Sequence, residues 1–210
     1  MTSKYSERNK SDRLRHALAH EAAKIITVEG VRDFHRAKIK ASERLGNSEH
    51  ASLPSNFEIE QAITLFQKTF VPNYDQKLLI ERQLALTIME WLQGYAPYLV
   101  GSVLENTAGL HTPISIHVSC DTVESVIKEF QDKSVELKLV ERRLKLNNDS
   151  VFLPTINFEY QNYEIEVLVF SLRQQRQPPK SKSQSRSMHR INLKGLKELP
   201  TEQLSNDRQG

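Results

Sequence analysis

Cysteine is nearly missing from this chain: Cys120 is the only one in 210 residues. An internal disulfide framework is therefore excluded, and the usage suits a reducing compartment. Apolar residues make up 38% of the chain, below a typical globular share. No run of 18 apolar residues occurs, so no membrane span is expected. The segment Met1-Thr2-Ser3-Lys4-Tyr5-Ser6-Glu7-Arg8 lacks the apolar stretch of a secretory signal. A cytoplasmic protein with no membrane partner is the expectation.

Charge of one sign is also scarce overall. The formal net charge is only +3, so the whole chain is no obvious nucleic-acid binder. It is unevenly spread, however. Between Leu172 and Lys197 stand eight basic residues, Arg173, Arg176, Lys180, Lys182, Arg186, Arg190, Lys194 and Lys197, and no acid. Such a segment attracts phosphates, and a solvated tail has the same composition. No aromatics interleave the charges as base stacking would require.

What is present reads as helices followed by strands. Residues 1–12 are polar and expected to fray. Over 13–75 a helical region is expected. Leu14, Leu18, Ala22, Ile25 and Ile26 form one apolar stripe that Gly30 stops. Val31, Phe34, Ala37, Ala41 and Leu45 mark a second helix, ended by Gly46, whose other face carries Arg32, Arg36, Lys38, Lys40 and Arg44. Ser55-Asn56-Phe57-Glu58 is a capping-box start for a third, in which hydroxyl and carboxylate satisfy free backbone donors. A long fourth helix over 76–92 is apolar on most sides and reads as buried.

From Tyr98 the apolar period changes to two. Strands are predicted at 98–101, 114–118, 135–146, 151–160 and 163–170, with turns at Asn147-Asn148-Asp149 and Gln161-Asn162. A helix begins at Asp121-Thr122-Val123-Glu124 with a second capping box, its apolar face made by Val126, Ile127 and Phe130. These place a core over 76–172. Residues 173–210 form a basic, partly ordered tail: an extended linker over 174–185, a short helix over 191–199 and a disordered end over 201–210.

Chemistry concentrates around two of these strands. Tyr98-Leu99-Val100 runs into Gly101-Ser102, and Thr112-Pro113-Ile114-Ser115-Ile116 opens the next strand. A glycine at a strand end lets backbone amides approach a phosphate, and a serine adds a hydroxyl and an amide. By itself a Gly-Ser after a strand is equally an ordinary turn; the second strand at the right distance gives it weight.

This layout resembles the nucleotidyltransferase superfamily, where a strand enters a Gly-Ser turn, a short helix follows and the next strand carries paired aspartates. The resemblance implies an α/β (α+β) fold, a nucleotidyltransferase-like mixed sheet with a preceding helical region. In such a site, carboxylates two residues apart share a strand face and hold two Mg²⁺ ions. Here Pro113 and Ser115 stand at those positions, and neither replaces a carboxylate. A register shifted by two offers Ser115 and His117, and imidazole suits zinc or a phosphate contact better than Mg²⁺. The third acid has candidates in Glu164 and Glu166, which a solvated sheet face explains equally well.

The stretches Leu14–Ala23, Asp33–Lys38, Leu53–Asn56, Arg176-Gln177-Pro178-Pro179 and Met188-His189-Arg190 are also similar to a group of bacterial proteins of this size, described as nucleotidyltransferase-like.

The expectation is thus a pseudoenzyme: a nucleotidyltransferase-fold protein without metal-dependent transfer, in a nucleotide- or nucleic-acid-binding or regulatory role. Gly101, Ser102 and His117 would contact phosphate, with no catalytic residue, metal ligand or cofactor. One alternative is an active transferase that rebuilds a Mg²⁺ platform from Glu164 or Glu166 and other acids. The other is a protein-interaction module.

Further candidates have plainer explanations. His16 and His20 share a helix face that could chelate a metal, but lack a third ligand and read as solvated. His111 and His117 flank the site, and His117 shares the strand face of Ser115. Cys120 stands at a helix start, where thiols are activated, and reads as a small buried residue. The basic face of the second helix suits a nucleic-acid backbone or plain solvation.

Overall fold

The computed structural model describes residues 2–31, 33–46, 53–109, 112–146, 149–174 and 188–199. These divide into two compact units, one within Met1–Pro72 and one within Asn73–Ala108, Thr112–Ser181 and Ser185–Gly210.

The first unit is helical: α1 (Thr2–Glu29), α2 (Phe34–Arg44) and α3 (Asn56–Phe70). No glycine or proline interrupts α1, which ends at Gly30 with φ +69°. Residues 2–12, expected to fray, instead continue this helix. Polarity alone led to that expectation, and polar residues without breakers are compatible with helix. The core is made of Leu18, Ala22, Ile25, Ala37, Ala41, Ile59 and Ile63. Several of these are alanines, so the helix backbones approach closely. The capping box of α3 is complete: Ser55 Oγ accepts from the Glu58 amide at 3.1 Å, and Glu58 accepts from the Ser55 amide at 2.7 Å.

The second unit begins with α4 (Tyr74–Trp91) and a 3₁₀ turn at Gln93–Tyr95. It continues through β1 (Tyr98–Val100), α5 (Ser102–Glu105), β2 (Ile114–Ser119), α6 (Val123–Lys128), β3 (Lys138–Leu146), β4 (Asp149–Tyr160) and β5 (Tyr163–Phe170), and closes with β6 (Arg190–Asn192) and α7 (Leu193–Glu198). The expected α/β class with helices preceding a mixed sheet is present, and the sheet has six strands in the order β3-β4-β5-β2-β1-β6. Only β2 and β5 are parallel; the other neighbours are antiparallel.

Two differences from the sequence reading stand out. The tail contributes β6 to the sheet beside β1, where only a terminal helix was expected. Three residues are too few to display a period. The predicted capping box before α6 also does not form: the Thr122 hydroxyl meets Ser125 Oγ at 2.8 Å instead of capping the backbone. The turn at Gln161-Asn162 has φ of 50° and 67°, the paired positive values of a tight hairpin. The Asn147-Asn148 turn, the tail linker over 175–187 and residues 201–210 lie outside the described residues.

Strand alternation gives the sheet two different faces. Ile114, Ile116, Val118, Ile165, Val167, Ile156 and Phe158 are buried on one. Aromatic contacts join that face to its helices: Trp91 of α4 meets Phe130 and Tyr160, and Phe130 meets Phe158 at 4.9 Å between centroids. The opposite face carries Tyr98, Ser115, His117, Glu166, Thr155 and Asn157 together with a second buried apolar group, Leu153, Leu168 and Phe170.

Removing the α3 cap tests the first unit. Ser55→Ala is expected to lower unfolding stability by about 1 kcal/mol, measured by urea denaturation. An unchanged midpoint would mean that the box contributes nothing.

Candidate functional site

The Gly-Ser turn depends on its backbone. Gly101 has φ +71° and ψ −149°, a conformation that L side chains rarely adopt. A Cβ there would meet nothing within 4 Å, so conformation rather than crowding requires glycine and the space beside it is open. Its carbonyl accepts from the Glu105 amide at 3.0 Å, closing the single turn of α5.

That turn is held from α4. Asn106 ends α5 in the left-handed region with φ 58°. Tyr74 Oη donates to the Asn106 carbonyl at 2.8 Å, and Arg82 donates to its side-chain oxygen at 2.6 Å. Burial pushes the Tyr74 hydroxyl well above the usual phenol range, so it remains a donor at all ordinary pH values. Burial also pulls the Arg82 guanidinium below its usual range.

Beside the turn, β2 presents Ser115 and His117 on one face. Antiparallel pairing sets Val100 opposite Ser115 and Tyr98 opposite His117. Gly101 and Ser102 therefore lie at the end of the sheet where Pro113 leads into β2. Parallel pairing sets Ser115 opposite Glu166 and His117 opposite Leu168.

Glu166 is the acid that the fold brings to this face. Ser115 Oγ donates to Glu166 Oε2 at 3.2 Å, and the same oxygen is ion-paired with Arg142 of β3. Glu164 lies two residues earlier on the same face and is exposed. Pro113 has no side-chain oxygen, and a guanidinium already faces Glu166. This donor set does not fit the two-metal platform of a nucleotidyltransferase. Among the described residues, no three His, Cys, Asp or Glu groups are placed to hold a metal ion.

His117 is buried, 8% exposed, with its ring 4.7 Å from that of Phe170. Burial first, then the charges of Arg142 and Arg190, push its pKa from 6.5 down to about 3. It is a neutral imidazole facing two guanidinium groups. Arg190, on β6, stacks over the Tyr98 ring at 4.5 Å. On β4, Asn157 stands opposite Glu166, and its buried amide oxygen has no hydrogen-bond partner among the described residues.

Sequence reasoning placed Ser115 and His117 on one face, named Glu166 as a third-acid candidate and counted Arg190 in the basic tail, but missed Arg142 and Asn157. Arg142 has Arg143 beside it, and only the β3–β4 register decides which of the two turns toward Glu166.

The remaining candidates have plainer surroundings. His16 and His20 are exposed on α1. Cys120 is buried, its thiol raised by burial, and donates to the Thr122 carbonyl at 2.8 Å. On α2, Lys40 pairs with Glu29 at 2.5 Å, and Arg44 pairs with Glu21 and Glu29 at 3.0 and 2.7 Å. That basic surface is partly committed to acids of α1, which weakens its nucleic-acid reading. His111 and Arg32 lie outside the described residues.

The His117 shift has a measurable consequence. Between pH 6.5 and about 3 the unfolded chain takes up a proton that the folded imidazole refuses. Its contribution to stability is therefore complete above 6.5 and lost as pH falls, at about 1.4 kcal/mol per pH unit within that window. His117→Asn is expected to flatten the slope of stability against pH between 6 and 4, followed by urea denaturation. An unchanged slope would contradict a neutral buried His117.

The chain matches no protein-family model, no curated protein and no solved structure.

Proposed function

We propose that this chain is a nucleotidyltransferase-like protein that binds a phosphate-bearing ligand, a nucleotide, beside its Gly101-Ser102 turn without metal-dependent transfer. The observation that carries this reading is the Arg142–Glu166 ion pair. Where the fold's usual chemistry needs carboxylates left for Mg²⁺, this chain supplies its own fixed cation.

The surrounding groups favour an anion. Arg142 and Arg190 both act on His117, and the approach beside Gly101 is open. Amides of the Gly101-Ser102 turn and the Ser102 hydroxyl add donors of the kind phosphate oxygens accept.

Ligand binding is linked to His117. An anion between the guanidinium groups offsets the charges that disfavour imidazolium, so binding raises the His117 pKa and opposes acid unfolding. The imidazole stays neutral near pH 7 and acts there as a donor and acceptor, not as a charge.

Thermal unfolding with each ribonucleoside triphosphate, in chelator or in Mg²⁺, tests this reading. At a hundredfold excess over Kd the expected rise in Tm is about 5–10 °C, equal with and without metal. The rise should shrink in Ser102→Ala and Arg190→Ala. A rise that requires Mg²⁺ would instead support the active-transferase alternative. No rise with any nucleotide would remove the proposed ligand.

A further inference from the structure

The two ends of the sheet are finished differently. At one end β6 is three residues long, too short to template another strand. At the other end stands β3, nine residues from Lys138 to Leu146 with no proline of its own, paired with β4 in one continuous register without a bulge. No described strand lies on its outer side. Its outward amides and carbonyls form an open edge, and Leu139, Val140 and the neighbouring Phe152 of β4 are 55%, 42% and 63% exposed. Neither shortness, proline nor a bulge blunts this edge, and apolar side chains flank it.

A second copy of the chain is the partner whose pattern complements it. Two identical edges pair antiparallel about a two-fold axis perpendicular to the sheet, which keeps each face continuous. Centred on Arg142, the axis sets Glu141 opposite Arg143 twice and Val140 opposite Leu144 twice. Opposite charges and apolar side chains are the favourable cross-strand pairs. Glu141 makes no ion pair among the described residues, and Arg143 donates to the neutral Ser150 hydroxyl at 3.0 Å. Both charges are thus available to the partner. On the axis each Arg142 faces its own copy, already neutralised by Glu166.

Neighbouring registers are worse. Centring on Glu141 sets glutamate against glutamate and Val140 opposite Arg142. Centring on Arg143 sets two arginines against each other without a carboxylate between them. Only the Arg142-centred register runs the whole strand and leaves no unneutralised like-charge pair among residues 140–144.

We propose that β3 is a self-association edge through which two copies join their sheets, with Glu141–Arg143 pairs on either side of Arg142. The axis passes beside Arg142, which the proposed ligand site also uses, and association is expected without any ligand present.

Sedimentation equilibrium of the full chain is the test. Wild type is expected at twice the 24.2 kDa chain mass. Glu141→Arg and Arg143→Glu each create like-charge pairs and should weaken the dimer roughly tenfold or more. Mixed in equal amounts, the two variants face each other with opposite charges at both positions and should associate again. The double variant Glu141→Arg/Arg143→Glu, which keeps the edge composition, should dimerise by itself and covers the case in which a single variant does not fold. A monomeric wild type, single variants that dimerise like wild type, or a mixture that stays monomeric would each overturn the proposal.

Discussion

The parallel pairing of β2 with β5 is the constraint on which the sheet and its candidate site both depend. It joins the β1–β2 half of the sheet, which carries the Gly-Ser turn, to the β3–β4–β5 meander, which carries the charges. On one side it buries Ile114, Ile116, Ile165 and Val167. On the other it sets Ser115 directly opposite Glu166. Because a strand's faces alternate, a slip of one residue would exchange these two sets and expose the core. The apolar residues thereby fix the position of the polar ones.

Charge balance on the polar face follows from that register. Glu166 is nearly buried and would be costly alone; Arg142 reaches it from β3, with Ser115 completing the contact. Such a pair contributes little net stability once desolvation is counted. Its consequence is electrostatic: Glu166 and Arg142 offset one another, while burial first, then the charges of Arg142 and Arg190, keep His117 neutral. Arg82 and Tyr74, also partly buried, have a separate task, holding Asn106 so that α5 presents Gly101 and Ser102 in a fixed orientation.

Much of the fold was legible in the sequence where signals were local and repeated. The Ser55–Glu58 box, the apolar strand run of 163–170 and the glycines at 30 and 101 each encode a single local geometry. What could not be read was set by distant partners. β6 is a strand only because β1 lies beside it. Thr122 had the sequence of a cap but found Ser125 instead. The same division holds at the site: alternation placed Ser115 and His117 on one face, whereas choosing Arg142 over Arg143 required the long-range β3–β4 register. Asn157 carried no sequence signal, since an amide in a strand is ordinary until its neighbours leave it unpaired.

The state of His117 reports most directly on the account as a whole, because desolvation and both arginines act on it together. Its imidazole resonances, followed by NMR against pH with and without a ribonucleoside triphosphate, separate the possibilities. The account predicts a ring that stays neutral far below pH 6.5 and whose titration moves upward when the nucleotide binds. A titration near 6.5 that the nucleotide leaves unchanged would contradict both the buried, cation-facing imidazole and the anion site built around it.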